Sequence, residues 1–166
     1  MKYALNDLIL FSILWMLSGC SLMNRTDTAV FQIGLHEFTT ENVLKSGMGI
    51  YAYDVMGSES HIVKKFAFLD SRHIMSGKLL PSSDGSRKYG LALTPTVMYR
   101  LDMQRLSWEF PGRSYAVLVD GFYVGKSSFS KKVGEDGVIE VAPLWDKYNA
   151  EKIVENIDKN YELYNR

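Results

Sequence analysis

The residues that carry out most protein chemistry are few in this sequence. Its only histidines are His36, His61 and His73, which lie 25 and 12 residues apart with no cysteine nearby. Metal centres need ligands at short, regular spacing, so we predict no metal site, no cofactor and a surface or boundary position for each histidine. The stretch Ser-Arg-His-Ile, residues 71–74, places a guanidinium beside an imidazole. That pair suits a phosphate or a carboxylate, although the sequence favours a solvated turn.

Nucleophiles and paired acids give no stronger signal. No Gly-x-Ser-x-Gly motif occurs among the serines, and a serine nucleophile at an α/β-hydrolase elbow needs that strained turn. Glu135 and Asp136 lie between glycines, which favours an exposed acidic turn. Tyr51 and Tyr53 would lie on the same side of a strand, and such a stripe is more typical of half-buried core than of a ligand platform. We therefore predict that the protein is not an enzyme.

The single cysteine, Cys20, ends an N-terminal segment with the features of a secretion signal. Lys2 gives a positive start, Leu8–Leu17 is an apolar run of ten residues, and the small residues Ser18 and Gly19 follow. The run is too short to span a bilayer, which takes about 20 residues, but it has the length of a signal-peptide core. A short buried helix that ends in Gly-Cys by chance is the alternative.

Leu-Ser-Gly-Cys, residues 17–20, resembles the lipobox at which bacterial lipoprotein signal peptides are cleaved. The resemblance implies cleavage between Gly19 and Cys20, acylation of Cys20 with palmitate and anchoring in a membrane. Ser21 implies sorting to the outer membrane of a Gram-negative envelope. We therefore predict a signal peptide over 1–19, a lipidated tether over 20–28 and one periplasmic domain over 29–166. Because no second cysteine exists, no disulfide is expected.

Composition limits the kind of partner. The chain has 166 residues, 46% of them hydrophobic, and its 19 basic residues balance 19 acidic ones. A domain of that size buries a core of its own. A neutral chain has no overall field that attracts nucleic acid, so we predict no nucleic-acid partner.

The elements that would position the candidate residues begin with strands. Three runs rich in β-branched and aromatic residues are predicted strands: 29–35, 49–55 and 61–70. Thr40 is expected to cap a brief helical turn that Gly47 ends. Composition predicts a loop over 79–90, and residues 88–93 lead out of it as a strand.

A helix and a hairpin follow. Thr94 before Pro95 predicts the start of a helix over 95–109, with a core-facing set at helical spacing: Val97, Met98, Leu101 and Trp108. Asp120-Gly121 between two apolar runs predicts a tight hairpin, which is a candidate interaction site. A second turn is expected at 134–137.

The chain is expected to end in an amphipathic helix after Asp146. Its predicted buried face contains Ala150, Ile153, Val154, Ile157 and Tyr161. The order of strands, helix, strands and helix predicts an α+β fold, a small and mainly antiparallel sheet with two helices packed on it.

Residues 88–157 resemble the periplasmic head domain of SecD, a subunit of the export translocase. The similar stretches are GLALTPTVMYRL, PGRSYAVLVDGFYVG and GVIEVAPLWDKYNAEKIVENI. The family's hairpin motif is matched at Gly112, Arg113, Ala116, Asp120 and Gly121, and its helix start at Ala150 to Ile153. The resemblance implies the fold of a detached head domain, which has no catalytic residues to carry over.

The sequence also departs from that family. GKSSFSKK, residues 125–132, replaces the proline and small residues that usually follow the hairpin, and no channel-forming half is present in the 166 residues. The resemblance therefore implies a fold and does not imply a share in proton-driven export; whether the protein has any role in export stays open.

Three functions remain open from the sequence. The first is a lipid-anchored, non-catalytic module that binds another envelope protein. The second is a hydrolase or ligand-binding protein with a site around Arg72, His73 and Asp120, for which a polar pocket joining those residues would be needed. The third is an inhibitor or immunity lipoprotein.

Overall fold

A computed structural model describes residues 28–129 and 131–166. The strands are β1 (Ile33–Glu37), β2 (Gly49–Tyr53), β3 (Ser60–Lys64), β4 (Leu69–Asp70), β5 (Ile74–Pro81), β6 (Tyr89–Pro95), β7 (Ser114–Val119), β8 (Phe122–Ser128) and β9 (Ile139–Trp145). The helices are α1 (Glu41–Lys45), α2 (Val97–Glu109) and α3 (Lys147–Tyr164). None of these helices is long and apolar enough to cross a membrane.

All strand pairs are antiparallel, and in the described residues they form three sheets. The sheets have the orders β4-β1-β7-β8, β2-β3 and β5-β6-β9. The predicted α+β class is confirmed. The prediction of a single sheet with two helices is wrong in detail, because the strands are divided among three small sheets. A helix that was not counted, α1, is present in addition to α2 and α3 and is little more than one turn long.

The four-stranded sheet is covered on both faces. Side chains alternate along a strand, and on β7 the main core receives Tyr115 and Val117 while a second cluster receives Ala116 and Leu118. That second cluster is completed by the β2-β3 hairpin, which lays Ala52 and Val63 on the opposite face. Four consecutive buried residues on one strand therefore follow from packing on both sides.

The main core lies between the four-stranded sheet, the three-stranded sheet and α3. It joins residues distant in sequence, from Ile33 on β1 through Leu91 and Leu93 on β6 to Ile153 and Ile157 on α3. Helix α3 crosses β5, where a Cβ on Gly77 would collide with the side chain of Ile157. The absence of a side chain at Gly77 therefore sets the distance between helix and sheet.

The predicted turns are confirmed. Asp120 and Gly121 both have positive φ, +49° and +85°, as a two-residue hairpin between β7 and β8 requires. The turn at 134–137 is closed by a hydrogen bond from the Gly137 amide to the Gly134 carbonyl. Helix α3 begins after Asp146, whose carboxylate accepts a hydrogen bond from the Asn149 amide.

Several predicted boundaries are wrong. The run 61–70 is two strands, because the chain leaves β3 after Lys64 and reaches β4 at Leu69. The loop predicted over 79–90 is confined to 82–88, since β5 and β6 pair as far as Pro81 and Tyr89. The first strand begins at Ile33, four residues later than predicted.

The predicted start of α2 is also wrong. Thr94 and Pro95 belong to β6, where Pro95 pairs with Ile74. Proline is tolerated there because it lies at the end of the strand. The residue that precedes the helix is Thr96, and its side chain makes no capping hydrogen bond.

The predicted core face of α2 is its solvent face. Val97, Met98, Leu101 and Trp108 are 61–84% exposed, whereas the buried residues of the helix are Met103 and Ser107. We call these four exposed residues the α2 face. The helix carries apolar side chains on both sides, with Tyr99 and Leu106 packed against the core, so periodicity alone does not decide which side is buried.

Candidate interaction surfaces

Two of the predicted site residues, Gly19 and Cys20, lie outside the described residues. Cleavage and acylation at these positions therefore stay predictions. The described chain begins at Thr28, where the predicted tether ends.

The Asp120 side chain holds this incoming segment. Its two carboxylate oxygens accept hydrogen bonds from the amides of Phe31 and Gln32, at 3.0 and 2.8 Å, and the Asp120 amide donates to the Gln32 carbonyl at 2.8 Å. On the other side, the Asn160 amide group of α3 donates to the Val30 carbonyl at 2.8 Å. Asp120 therefore makes intramolecular contacts that fix the point where the chain enters the fold.

The Ser-Arg-His stretch is a turn that binds its own carboxylate. The Arg72 guanidinium donates to Asp70 through Nε, at 3.1 Å, and through a terminal nitrogen, at 2.6 Å, and His73 Nδ1 lies 3.0 Å from Asp70 Oδ1. Burial opposes ionisation of Asp70, but the hydrogen bonds from Arg72 and the charges of Arg72 and His73 lower the pKa of that carboxyl below its usual value. Asp70 therefore occupies the anion site that the sequence suggested. The His73 ring in turn stacks on Tyr99 of α2, with centroids 4.0 Å apart.

The other two histidines are structural. His36 is buried, against the predicted surface or boundary position, and its Nδ1 lies 2.9 Å from the Lys64 carbonyl oxygen. It fills space above Gly34, where a Cβ would meet the imidazole. His61 is half-buried against Tyr123, with ring centroids 4.3 Å apart. Among the residues described, no group of three or more His, Asp or Glu side chains could hold a metal ion.

The described cavities do not join Arg72, His73 and Asp120. One, of about 350 Å³, lies between Phe129 and the turn at 134–137, and another, of about 300 Å³, lies where β5, β8 and β9 meet. The third is about 10 Å³ and borders Tyr115, whose hydroxyl pKa is raised to about 12 by burial. None of these three cavities is the polar pocket that the ligand-binding hypothesis needs.

An apolar surface lies on the β2-β3 hairpin. Tyr51 and Tyr53 are 49% and 50% exposed, with ring centroids 6.1 Å apart, and Val55 and Met56 extend the surface into the turn. We call these four residues the hairpin surface. Their neighbour Ala52 points inward and is buried. The prediction that both tyrosines lie on one side of a strand is confirmed. The prediction that they belong to a half-buried core is wrong, because both are exposed.

Neither exposed surface was identified from the sequence as a candidate site. For the hairpin surface, the signal was present in the Tyr-Ala-Tyr alternation. For the α2 face, the four residues were recognised as a stripe but assigned to the core.

Comparison with known proteins gives a fold. No protein-family model matches the sequence, and no match to a curated protein is found. The structure is similar to a chain from the study "Structure and function of a membrane component SecDF that enhances protein export". The TM-score is 0.51 with 11% identity, over 78% of this chain and 63% of that one. A SecDF chain in a super-membrane-facing form gives a TM-score of 0.51 with 10% identity, over 76% of this chain and 18% of that one.

The chain has a SecDF-like fold. This confirms the α+β fold that the resemblance to the SecD head domain implied. Identities of 10–11% show the fold alone. The chain spans 63% of the first SecDF chain and 18% of the second.

Proposed function

We propose that this protein is a lipid-anchored, non-catalytic binding protein of the bacterial envelope. Acyl chains on Cys20 hold it at the periplasmic face of the outer membrane, and its domain contacts another envelope protein. The observation that carries the interaction is the hairpin surface, where two neighbouring tyrosines are half exposed on a strand whose other face is packed.

The geometry of β2 suits an extended partner segment. In the described part of the chain β2 pairs with β3 alone. Helix α1 packs beside the start of β2 at Gly49, so an added strand would pair with the rest of the second edge. Tyr51 and Tyr53 flank that edge, and tyrosine is enriched at the centres of protein interfaces, where it buries large area at low entropic cost.

The use of the titratable residues supports a non-catalytic role. The Asp120 carboxylate binds backbone amides, and the Asp70 carboxylate binds Arg72 and His73. A catalytic acid or base must have its proton or lone pair free for a substrate. In these two clusters the groups are engaged with the protein itself.

The fold adds a candidate class of partner. The similar SecDF chain is described as a membrane component that enhances protein export. A domain with this fold at the envelope has the export machinery as the first partner to test, and other envelope proteins as the alternative.

Crosslinking in intact cells tests the proposal. A tagged, full-length protein is crosslinked, purified and examined by mass spectrometry. The double variant Tyr51→Ser/Tyr53→Ser should reduce the yield of the specific partner by about tenfold or more, because two interface aromatics are removed.

Tyr148→Ser is the matched control. Tyr148 is 67% exposed on α3, away from the hairpin, so its loss should leave the yield unchanged. Equal yields from the wild type and the double variant would exclude the hairpin surface. The absence of any envelope partner from the wild type would overturn the proposed interaction.

A further inference from the structure

We infer that the α2 face lies on the lipid surface of the membrane that carries the Cys20 anchor. The inference rests on the proposed anchoring and adds a second, apolar contact between the folded domain and the same membrane. It assigns an occupant to the exposed side chains of Val97, Met98, Leu101 and Trp108.

The α2 face is held outward by a fixed helix. On the opposite side Met103 is buried in the main core, and the buried Ser107 hydroxyl accepts a hydrogen bond from the Val133 amide at 3.0 Å. The four exposed residues fall within about 100° of one another around the helix. Arg105, which is exposed, lies in the same sector between Leu101 and Trp108. The helix therefore presents an apolar strip over its first turns, with Trp108 further along the same side, and exposed apolar strips mark membrane or protein contacts.

The strip begins at the end of the domain where the tether leaves. The Ser71 amide donates to the Ile33 carbonyl at 3.0 Å, which places the 71–73 turn beside the start of β1. The Thr96 amide then donates to the His73 carbonyl at 2.8 Å, and Tyr99 stacks on the His73 ring. The 71–73 turn therefore connects the start of β1 to the start of α2 through two hydrogen bonds, so the incoming chain lies close to the first turn of α2.

The length of the tether favours lipid over a distant partner. Thr28 is eight positions after Cys20, and a fully extended chain of that length reaches roughly 28 Å. Helix α2 has 13 residues and is therefore about 20 Å long. With the acyl chains in the bilayer, the whole α2 face lies within reach of the same surface.

Two ion pairs and one lysine–tryptophan contact lie around the strip. Arg105 is paired with Asp102 at 3.2 Å, Lys131 is paired with Glu140, and Lys132 lies 4.5 Å from the centre of the Trp108 ring. A lysine beside an interfacial tryptophan suits the headgroup level of a membrane. Since Arg105 and Lys131 are paired with carboxylates, apolar insertion should dominate over attraction to anionic lipid, and salt should change docking little.

Tryptophan quenching tests the inference. The full chain is produced in bacteria with labelled palmitate, purified and placed in phosphatidylethanolamine–phosphatidylglycerol vesicles whose acyl chains are brominated. The difference in emission between the wild type and Trp108→Phe reports Trp108, because the other tryptophans are common to both. Trp108 should lose most of its emission relative to the same vesicles without bromine.

Substitutions on the strip have a matched control. Met98→Ser and Leu101→Ser should each lower the ratio of docked to undocked protein by about tenfold, with a matching loss of quenching. Tyr148→Ser is the control, because Tyr148 on α3 is 67% exposed and belongs to neither the α2 face nor the hairpin surface. All three substituted residues are solvent-exposed, so none of these changes should unfold the protein.

The palmitate label separates this inference from the proposed anchor. Label on Cys20 with Trp108 unquenched would overturn the lipid contact and keep the anchor, leaving a protein as the occupant of the α2 face. Trp108 quenched without label would overturn the anchor and retain the lipid contact. Equal loss of quenching in Tyr148→Ser and Met98→Ser would overturn the assignment to α2.

Discussion

Asp70 is the residue on which the turn between β4 and β5 depends. It accepts from the Arg72 amide at 3.0 Å as well as from the guanidinium and the His73 ring. His73 then links the turn to Tyr99 on α2. One carboxylate therefore fixes the turn on which both the tether end of the domain and the start of α2 are positioned.

We expect Asp70→Asn to lower the free energy of unfolding by about 1–2 kcal/mol at pH 7, because an amide replaces charge-assisted hydrogen bonds. The pKa of Asp70 is lowered in the folded protein. Its stabilisation is therefore present above the ordinary carboxyl pKa, about 4, and is lost as the pH falls through the folded-state value. Urea unfolding of both proteins across this range measures the effect. A difference that stays constant down to the acid limit would contradict it.

At this scale, local chemistry was predictable and long-range contacts were not. Asp120-Gly121 predicted its turn because two consecutive positive φ angles restrict the choice of residues. The contact of Asp120 with Phe31 and Gln32 spans 89 and 88 residues, and nothing in the local sequence indicates it. His36 was misplaced for the same reason, since its burial depends on the Lys64 carbonyl of another strand.

At the scale of elements, the amphipathic α3 was predicted because its apolar residues fall on one side only. Helix α2 was placed over nearly the right residues but turned the wrong way, because its second apolar side was overlooked. Strand β5 was missed because Ser76, Gly77 and Pro81 interrupt any alternating pattern. Gly77 is needed there for the approach of α3, which only the tertiary structure reveals.

The contact between β5 and α3 gives a prediction. Gly77→Ala should destabilise the protein by about 1–3 kcal/mol, because the added methyl meets the Ile157 side chain. Ile157→Val removes the atom that is approached most closely. In that background Gly77→Ala should cost less, so the double-mutant cycle should show a favourable coupling. Additive effects in urea unfolding would show that α3 does not rest on Gly77.

At the scale of the whole molecule, the class of fold followed from the order of the elements and from the resemblance to the SecD head domain. The division into three sheets did not, because strand partners far apart in sequence are chosen by packing. The two exposed surfaces lie on different elements, the hairpin surface on β2 and the following turn, and the α2 face on a helix at the tether end. If both proposals hold, one surface contacts the membrane and the other contacts a protein.

The relation of residues 1–19 to the folded domain gives the last prediction. If residues 1–19 are a lipoprotein signal, they are removed, and the purified wild type should begin at an acylated Cys20. The variant Cys20→Ala should keep residues 1–19 and should lose both labelled palmitate and the membrane-bound form. Both proteins should then unfold at the same urea concentration, since the described core begins at Ile33. If residues 1–19 were instead a buried helix, ten apolar residues would add several kcal/mol to the free energy of unfolding. Mass spectrometry shows whether residues 1–19 are removed, and urea unfolding shows whether they stabilise the fold. An uncleaved, unlabelled wild type would exclude the lipoprotein signal.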